Sequence, residues 1–305
     1  MDLISIVLPV FNSEKFIFKS IKSILNQTYK HIELIIINDA STDNSEKIIL
    51  KFKDKRIKYI KNKFNLGEQK TTNVGLKLCK GKYISIMHSD DIAHKNKIEE
   101  QTNYLNKNKN IFLVGTSYNI IDENEKIIKI VNKKITPKKI NKKILKGKNI
   151  ICHPTIMFRK EKINYRSKIY YCPDLDLYLR LIKKNKKIAI LNKVLLNYRV
   201  HFNQISISKK YKQNLFKKIT LEINNGERKY KLFNPQKILN INEKKLDYKE
   251  QIIYHYLYKN PKKIRDNYIK YIYKEKKIDK YLFYYLYSYL INIYILFRNN
   301  KRIYF

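Results

Sequence analysis

The sequence KGKYISIMHSDD, residues 80–91, joins a short apolar run to two adjacent acidic residues. The run at 83–87 follows the turn-forming Gly81 and contains two isoleucines, a tyrosine and a methionine, a pattern that is typical of a buried strand. Asp90 and Asp91 follow the run closely. In open α/β sheets, ligands bind outside the carboxyl ends of the strands. The stretch therefore predicts a strand that carries two carboxylates to the rim of a crevice.

Two further apolar runs precede this one, ISIVLPV at 4–10 and IELIIIN at 32–38. The second run is continuous rather than alternating, which indicates a strand that is buried on both faces of a parallel sheet. Between the two runs, Ile17, Ile21 and Ile24 recur at helical spacing. This alternation of strands and helices predicts an α/β fold with a doubly wound, mostly parallel sheet.

Beyond residue 95 the order of the predicted elements changes. IFLVGTSYNII and KIIKIV flank a polar turn, which predicts an antiparallel hairpin and hence a mixed edge of the sheet. ICHPTIMFR predicts another strand, and KIAIL and LLNYRVH predict two short ones. From about residue 206 the pattern becomes helical and rich in lysine and tyrosine. We therefore expect one domain at 1–205 and a helical extension at 206–305.

The segment 281–297 of this extension carries no charge and includes six tyrosines. As a helix it would span about 25 Å, which is marginal for a hydrocarbon core of about 30 Å. Tyrosine prefers the membrane interface, and Lys280 and Arg298 flank the segment. Two interpretations stay open, namely peripheral membrane contact through 281–297 and packing against the catalytic domain or a second copy of the chain.

The 305-residue chain has a formal net charge of +40 at pH 7. A basic nucleic-acid-binding protein is one interpretation of that charge. The lysines are spread along the whole chain, however, which favours a solvated basic surface, and we do not expect nucleic acid as a partner. The three cysteines lack metal-type spacing and are typical of free thiols in a reducing compartment. The N-terminal residues show no signal-peptide pattern, so we expect a cytoplasmic protein, with the inner face of the membrane as the alternative location.

Other acids occupy positions comparable to the adjacent pair. Asp39 ends the run at 32–38, and Asp174 opens the helical pattern DLDLYLRL. Carboxylates that converge on one crevice repel one another unless a cation is present, and oxygen ligands suit Mg²⁺ or Mn²⁺ bound together with phosphates. The alternative is that each acid caps the helix that follows it. For Asp90 and Asp91 the pattern favours a site for a divalent metal and a phosphorylated ligand.

Several motifs, taken in order, resemble the family 2 glycosyltransferases, whose nucleotide-sugar half has a GT-A fold. They are ISIVLPVFNSEKFIFKSIKSILNQTYKHIELIIINDASTDNS, NLGEQKTTNVGLKLCKGKYISIMHSDD, CHPTIMFRK, PDLDLYLRL and NYRVHFNQISIS, and together they span about two-thirds of the chain. The resemblance implies a GT-A type sheet, a UDP-sugar as the most common donor in the family, and Mn²⁺ or Mg²⁺ as the cofactor. It also implies a glycan or a lipid-linked molecule as the acceptor.

The resemblance assigns roles to individual residues. Asp90 would be the metal-binding acid of a DxD-type motif, with His88 as a candidate second ligand, and Asp174 would be the catalytic base. The residues that it places around the donor nucleotide are Pro9, Phe11, Glu14, Asp39 and Asn73. The residues that it places near the diphosphate or the acceptor are Asp91, Arg199 and His201.

Two departures from the family pattern leave alternatives open. His88 stands where the family often has an acid, and Pro173 stands where a glutamate usually precedes the base. An inactive relative that binds a sugar nucleotide or a partner is therefore one alternative. A nucleotidyltransferase is another, but the glycine-rich loop that it needs after the first strand is missing. The chain contains no tryptophan, so the QxxRW motif of processive members is absent. We expect an inverting enzyme that adds one sugar in surface polysaccharide synthesis.

Overall fold

The computed structural model describes residues 1–201, 204 and 209–239. Within them the strands are β1 (Ile4–Val10), β2 (Ile32–Asn38), β3 (Ile57–Lys61), β4 (Tyr83–Ile86), β5 (Ile92–Ala93), β6 (Ile111–Ile121), β7 (Ile127–Val131), β8 (Met157–Arg159) and β9 (Lys187–Arg199). The helices are α1 (Ile17–Leu25), α2 (Ser45–Leu50), α3 (Glu68–Leu78), α4 (Lys97–Lys107), α5 (Pro137–Leu145), α6 (Pro173–Lys183), α7 (Lys210–Asn225) and α8 (Gln236–Leu239).

These strands form one mixed sheet in the order β3-β2-β1-β4-β8-β6-β9-β5, with β7 paired to β6. The strands β3, β2, β1 and β4 run parallel to one another, and β6 runs parallel to β9. Antiparallel pairs join β4 to β8, β8 to β6, β6 to β7 and β9 to β5. The predicted α/β fold, its parallel half, its hairpin and its mixed edge are confirmed.

Helices cover both faces of the parallel half. The side chains of Ile4, Ile6 and Leu8 point to the face where α1 and α2 contribute their buried isoleucines. On the other face α3 lies directly on the sheet at Gly75, where an added Cβ would stand 2.5 Å from Val7 Cγ1. Only glycine permits so close an approach of helix and strand. The strands are therefore buried on both sides, as their continuous apolar sequences predict.

The structure differs from the sequence-based expectation in the last part of the sheet. KIAIL and LLNYRVH are not two short strands but the two ends of β9, which stays paired to β6 through three changes of register. ICHPTIMFR begins with a 3₁₀ turn at His153–Thr155, so only Met157–Arg159 forms a strand. Local pattern misses both features because the partner strand β6, and not the sequence between the runs, keeps β9 continuous.

Residues 1–201 and 212–239 form one compact unit. Phe216 of α7 is fully buried in it, between the rings of Tyr170, Tyr171 and Phe233. A helical extension beginning at 206 stays a prediction for residues 240–305, which lie outside the described residues, as does the segment 281–297. Among the helices that the structure describes, none has the length and apolar character needed to cross a bilayer.

Candidate active site

The carboxyl ends of the parallel strands bring the predicted acids to one edge of the sheet. Asp39 directly follows β2, and the segment from His88 to Asp91 follows β4, which is separated from β2 only by β1. The ligand atoms of His88, Asp90 and Asp91 all lie within 4.8 Å of one another. The adjacent acids of the sequence thus form a compact group with the histidine that precedes them.

Backbone and hydroxyl contacts fix the loop that carries this group. The N–H of Met87 donates to the carbonyl of Val7 at 3.0 Å, which extends the alignment of β4 with β1. The hydroxyl of Ser20 on α1 donates to the carbonyl of His88 at 2.9 Å. The hydroxyls of Ser13 and Ser89 lie 2.6 Å apart. The loop is held from the β1–α1 side, so its side chains project into the crevice beyond the sheet edge.

The two acids of the pair lie in different electrostatic environments. Burial opposes ionisation of Asp90, but a hydrogen bond with His201 and the charges of His88 and His201 hold the pKa of Asp90 below its usual value. Burial and the charge of Asp90 raise the pKa of Asp91 well above its usual value. Lys97, fully buried and donating to the carbonyl of Pro154 at 2.7 Å, adds a positive charge near Asp91, and burial lowers the pKa of Lys97 to about 8. One acid is therefore readily ionised, and the other needs a cation to become so.

The donor atoms of this group suit a divalent metal. The buried Oδ2 atom of Asp91 and Nε2 atom of His88 have no hydrogen-bond partner among the described residues. A buried polar atom without a partner costs free energy unless a ligand supplies one. Carboxylate oxygens suit Mg²⁺ and Mn²⁺, whereas an imidazole ligand is unusual for Mg²⁺. The set of donors therefore fits a divalent ion, with two carboxylates and one imidazole as candidate ligands.

Asp174 lies at the start of α6, where Pro173 is the first helical residue. One carboxylate oxygen accepts a hydrogen bond from the N–H of Leu175 at 2.8 Å, and the other accepts one from the side-chain amide of Asn149. Burial nevertheless raises the pKa of Asp174 above its usual value. A raised pKa makes an aspartate a stronger proton acceptor once it is ionised. Its neighbour Asp176 is buried between Arg166 and Arg180, so that acid has a structural role.

Glu68 belongs to the site although no motif in the sequence pointed to it. Its carboxylate lies 3.5 Å from Nε2 of His88. Burial is the main cause that raises the pKa of Glu68; His88 opposes this effect, and the charges of Asp174 and Asp90 add to it. Glu68 is thus within electrostatic range of both the metal-binding group and the candidate base. The only signal in the sequence was an acid at the start of the helix after the third strand.

The residues expected around the nucleotide are only partly open to a ligand. Phe11 is 48% exposed just beyond β1, and Pro9 lies inside β1. Asp39 is buried, and its two oxygens accept hydrogen bonds from Asn62 Nδ2 and from the N–H groups of Leu66 and Gly67 at 2.8–2.9 Å. In this structure Asp39 therefore shapes the loop that leads into α3.

Glu14 and Asn73 also make structural contacts. The carboxylate of Glu14 accepts hydrogen bonds from the backbone and side-chain nitrogens of Asn44 at 2.9 and 2.8 Å. The amide of Asn73 bonds both the carbonyl and the N–H of Tyr165 at 2.8 Å. These side chains join the elements that surround the crevice, and their predicted contact with a nucleotide stays a prediction.

The end of β9 and the residues just after it contact the acids themselves. His201 Nε2 lies 3.1 Å from Asp90 Oδ2. The N–H of Arg199 donates to Asp91 Oδ1 at 2.8 Å, and the buried guanidinium of Arg199 donates to the carbonyl of Asp90 at 2.9 Å. Contacts in the structure therefore bring together Asp90, Asp91, His88, Arg199 and His201, and Asp174 lies within electrostatic range of His88.

Comparison with known proteins agrees with this geometry. The model of the family described as "Glycosyl transferase family 2" matches residues 5–166, which is more than half of the chain. The chain belongs to glycosyltransferase family 2. The match ends before Asp174 and before the end of β9. The assignment of these residues to the site therefore comes from the structure and from the similarity to individual relatives, and not from the family model.

Relatives in curated collections extend the similarity of this glycosyltransferase. A glycosyltransferase of Methanocaldococcus jannaschii is 34% identical over 227 residues, which are 72% of this chain and 78% of that protein. Escherichia coli WfaP, named as a UDP-Glc:α-D-GlcNAc-diphosphoundecaprenol β-1,3-glucosyltransferase, is 36% identical over 210 residues, with 68% and 82% covered. WfgD of Escherichia coli, with the same named activity, is 35% identical over 213 residues, with 69% and 82% covered.

Solved structures share the fold of this glycosyltransferase. Staphylococcus aureus TarS, residues 1–349, in complex with UDP-GlcNAc superposes with a TM-score of 0.57 at 14% sequence identity. The same fragment in complex with UDP gives a TM-score of 0.56 at 14% identity. Each match covers 92% of this chain and 93% of that one. At this level of identity the likeness concerns the fold, and it confirms the expected GT-A type architecture.

A buried histidine of this glycosyltransferase, His153, packs against His88 of the candidate metal-binding group. The two ring nitrogens of His153 each lie 3.0 Å from a tyrosine hydroxyl, of Tyr178 and Tyr165 respectively. Its ring contacts that of His88, with the centroids 5.6 Å apart. Burial, with the charge of His88 as a smaller cause, lowers the pKa of His153 well below its usual value. His153 is therefore a neutral histidine with a structural role.

We expect His153 to make stability depend on pH. A histidine in the unfolded chain binds a proton below about pH 6.5, and the buried ring does not. The contribution of His153 to stability is therefore complete above about pH 6.5 and is lost as the pH falls, by at most about 1.4 kcal/mol per pH unit. In His153→Gln the free energy of unfolding, measured by chemical denaturation, should be lower at neutral pH but should fall less steeply on acidification. His31→Gln, at an exposed position, serves as the control and should keep the wild-type slope. Equal slopes in wild type and His153→Gln would contradict this role.

Proposed function

We propose that this glycosyltransferase moves one hexose from a UDP-sugar to a hydroxyl group of a lipid-linked glycan, with inversion at the anomeric carbon. WfaP and WfgD, which are 36% and 35% identical to this chain, are named for glucosyl transfer from UDP-Glc to a sugar on diphosphoundecaprenol. The TarS fragment that shares the fold binds UDP and UDP-GlcNAc. These names support a UDP-sugar as donor and a lipid-linked glycan as acceptor in surface polysaccharide synthesis.

One observation carries the proposal, namely the placement of a candidate base opposite a candidate metal group. Asp174 and Asp90 both act on the pKa of Glu68, and His88 acts on the pKa of Asp174. His153 links the two elements, since its ring lies 5.6 Å from that of His88 and its Nδ1 lies 3.0 Å from the hydroxyl of Tyr178 on α6. These contacts support the proposal that the start of α6 and the loop after β4 border one ligand site. Transfer between a sugar phosphate and a hydroxyl needs a group that takes the hydroxyl proton and a separate group that balances the charge of the departing diphosphate.

Each residue has a defined task in the proposed reaction. Asp174 accepts the proton of the acceptor hydroxyl as that oxygen attacks the anomeric carbon from the face opposite the diphosphate. The new bond forms between oxygen and carbon, while the bond from that carbon to the diphosphate breaks and its electrons leave with UDP. Asp90 and His88 would hold Mn²⁺, which when bound offsets the negative charge of the diphosphate. Asp91, when ionised, would add a second carboxylate charge to this group.

The composition of the chain supports single addition. The chain contains no tryptophan, so it lacks the QxxRW motif of processive family members. The departures at His88 and Pro173 leave Asp90 and Asp174 in place within the crevice.

We expect nucleotide binding to depend on the metal. In calorimetric titrations with UDP, GDP and dTDP, only UDP should bind, and Mn²⁺ should support tighter binding than Mg²⁺ because His88 is a nitrogen ligand. EDTA or the change Asp90→Ala should remove the metal-dependent part of the affinity. Asp54→Asn, near the start of β3 at the opposite edge of the sheet, is the matched control. Binding of GDP or dTDP instead would correct the donor, and absence of binding to all three would favour an inactive relative.

We expect Asp174→Asn to separate binding from catalysis. The variant should bind UDP and Mn²⁺ as the wild type does, while kcat should fall by about 10²–10⁴-fold, the range for loss of a general base. In the wild type, kcat should decline on acidification through a pKa above the ordinary aspartate value of about 3.9, since protonated Asp174 cannot accept the proton. Sugar transfer measured with a diphospholipid-linked GlcNAc acceptor tests both points. A wild-type kcat in Asp174→Asn would exclude this residue as the base.

We also infer a peripheral membrane contact at the inner leaflet, where a lipid-linked acceptor is anchored. The net charge of +40 and the tyrosine-rich segment 281–297 support attraction to an anionic surface. The full-length chain should sediment with vesicles that contain phosphatidylglycerol and remain in the supernatant with phosphatidylcholine vesicles. Binding that vanishes in high salt for both wild type and a variant with Tyr284, Tyr285 and Tyr287 changed to serine would indicate charge alone, without insertion of 281–297.

A further inference from the structure

Arg199, the last residue of β9, is one of the largest fully buried side chains among the described residues. Only 1% of its surface is exposed. Its guanidinium lies over the ring of Phe16, with 4.7 Å from the guanidinium carbon to the ring centre. A side chain in this position is shielded from a diphosphate or an acceptor. The resemblance placed Arg199 near those ligands, but its contacts within the protein indicate a different role.

Arg199 contacts both acids, one through its backbone and the other through its side chain. Its backbone N–H donates to Asp91 Oδ1 at 2.8 Å, and its Nε donates to the carbonyl of Asp90 at 2.9 Å. The first bond orients one carboxylate, and the second fixes the backbone from which the other carboxylate projects. A single residue thus sets the geometry of both members of the pair.

The remaining nitrogens of the guanidinium reach the turn between β6 and β7. Nη1 donates to the carbonyls of Asp122 and Glu123 at 3.1 and 3.0 Å, and Nη2 pairs with the carboxylate of Glu125 at 3.2 Å. Two lysines of the β1–α1 region pair with the same turn from outside, Lys15 with Glu123 and Lys19 with Glu125. The turn is therefore fastened over the acids by a network whose buried centre is Arg199.

We propose that Arg199 is a positioning residue that orients Asp90 and Asp91 for metal binding, an inference that rests on the proposed function. The planar guanidinium donates in several fixed directions at once, to Asp90 on one side and to the hairpin turn on the other. A lysine carries the same charge but only one nitrogen, so it cannot hold both sides. Groups that orient metal ligands in this way typically change metal affinity by about 10–100-fold when they are removed.

Arg159 provides a matched control because it does the same kind of work at the opposite end of the sheet. Its guanidinium donates to the carbonyls of Ile111, Leu105 and Asn108 and lies over the ring of Tyr83. Arg159 is paired with Tyr83, the first residue of β4, whereas Arg199 contacts the loop that follows the last residue of β4. Arg159→Lys and Arg199→Lys therefore remove comparable backbone contacts, and only one of them lies near the acids.

The test compares Mn²⁺ binding by the full-length wild type, Arg199→Lys and Arg159→Lys. Free Mn²⁺ is measured by electron paramagnetic resonance, without and with UDP, and thermal unfolding is recorded for each protein. Both variants should unfold at lower temperature than the wild type. Arg199→Lys should bind Mn²⁺ about 10–100-fold more weakly, whereas Arg159→Lys should bind it as the wild type does. UDP affinity in EDTA should be the same in all three proteins.

The outcomes separate this inference from the proposed function. Wild-type Mn²⁺ affinity in a folded Arg199→Lys would overturn the inference alone, as would equal losses in both arginine variants, because the effect would then be general destabilisation. Binding of Mn²⁺ but not of UDP by the wild type would overturn the proposed donor and leave the role of Arg199 readable. A wild type that binds no Mn²⁺ would overturn both.

A second pair of variants decides the matter if Arg199→Lys does not fold. Glu125→Gln removes the acidic partner of the guanidinium at a surface turn, and Glu123→Gln removes a neighbouring charge that pairs with Lys15. Glu125→Gln should weaken Mn²⁺ binding several-fold, and Glu123→Gln should leave it unchanged. Equal Mn²⁺ affinities in these two variants would overturn the inference.

Discussion

Two adjacent carboxyl groups at the end of a buried strand repel each other, and the surroundings of Asp90 and Asp91 are arranged to tolerate that repulsion. Burial deprives both groups of water, so each needs a compensating partner. Asp90 has His201, and Asp91 has the N–H of Arg199 and the nearby charge of Lys97. One oxygen of Asp91 still has no protein partner among the described residues. That oxygen is therefore a candidate ligand for a cation.

The architecture follows from this requirement. The parallel strands β1, β2 and β4 deliver the β4 loop to one edge of the sheet, and the β1–α1 side holds the backbone of that loop. Further contacts to the two acids come from the mixed half, where β9 runs beside β6 and ends next to them. The first half of the domain therefore carries the candidate metal-binding group, and the second half carries the candidate base and further groups that contact Asp90 and Asp91. The family match covers residues 5–166, and the end of β9 lies beyond it.

The charge of the chain does not oppose this acidic site. The net charge of +40 is carried mainly by lysines that are spread along the chain, whereas the crevice gathers Glu68, Asp90, Asp91 and Asp174. A basic exterior attracts anionic donors and surfaces over a distance of about one Debye length, roughly 8 Å at physiological salt. A divalent ion held by the acidic group would reverse the local sign where a diphosphate would bind. The two features act at different ranges and are compatible.

The amino-acid sequence by itself determined the α/β class, the parallel order of the first strands and the position of the acids at a strand end. Continuous apolar runs and helical spacing are local properties, and the rule that strand ends carry ligand groups needs no further information. The roles of Glu68, Arg199 and Asp39 were decided only by the tertiary structure. Glu68 lies 20 residues from His88 in the chain, and Arg199 lies 109 residues from Asp90. The first pair joins the start of α3 to the loop after β4, and the second joins the end of β9 to the same loop. Whether a polar side chain meets a ligand or a backbone carbonyl depends on which element covers it. That covering is a property of packing between distant segments, and no local pattern encodes it.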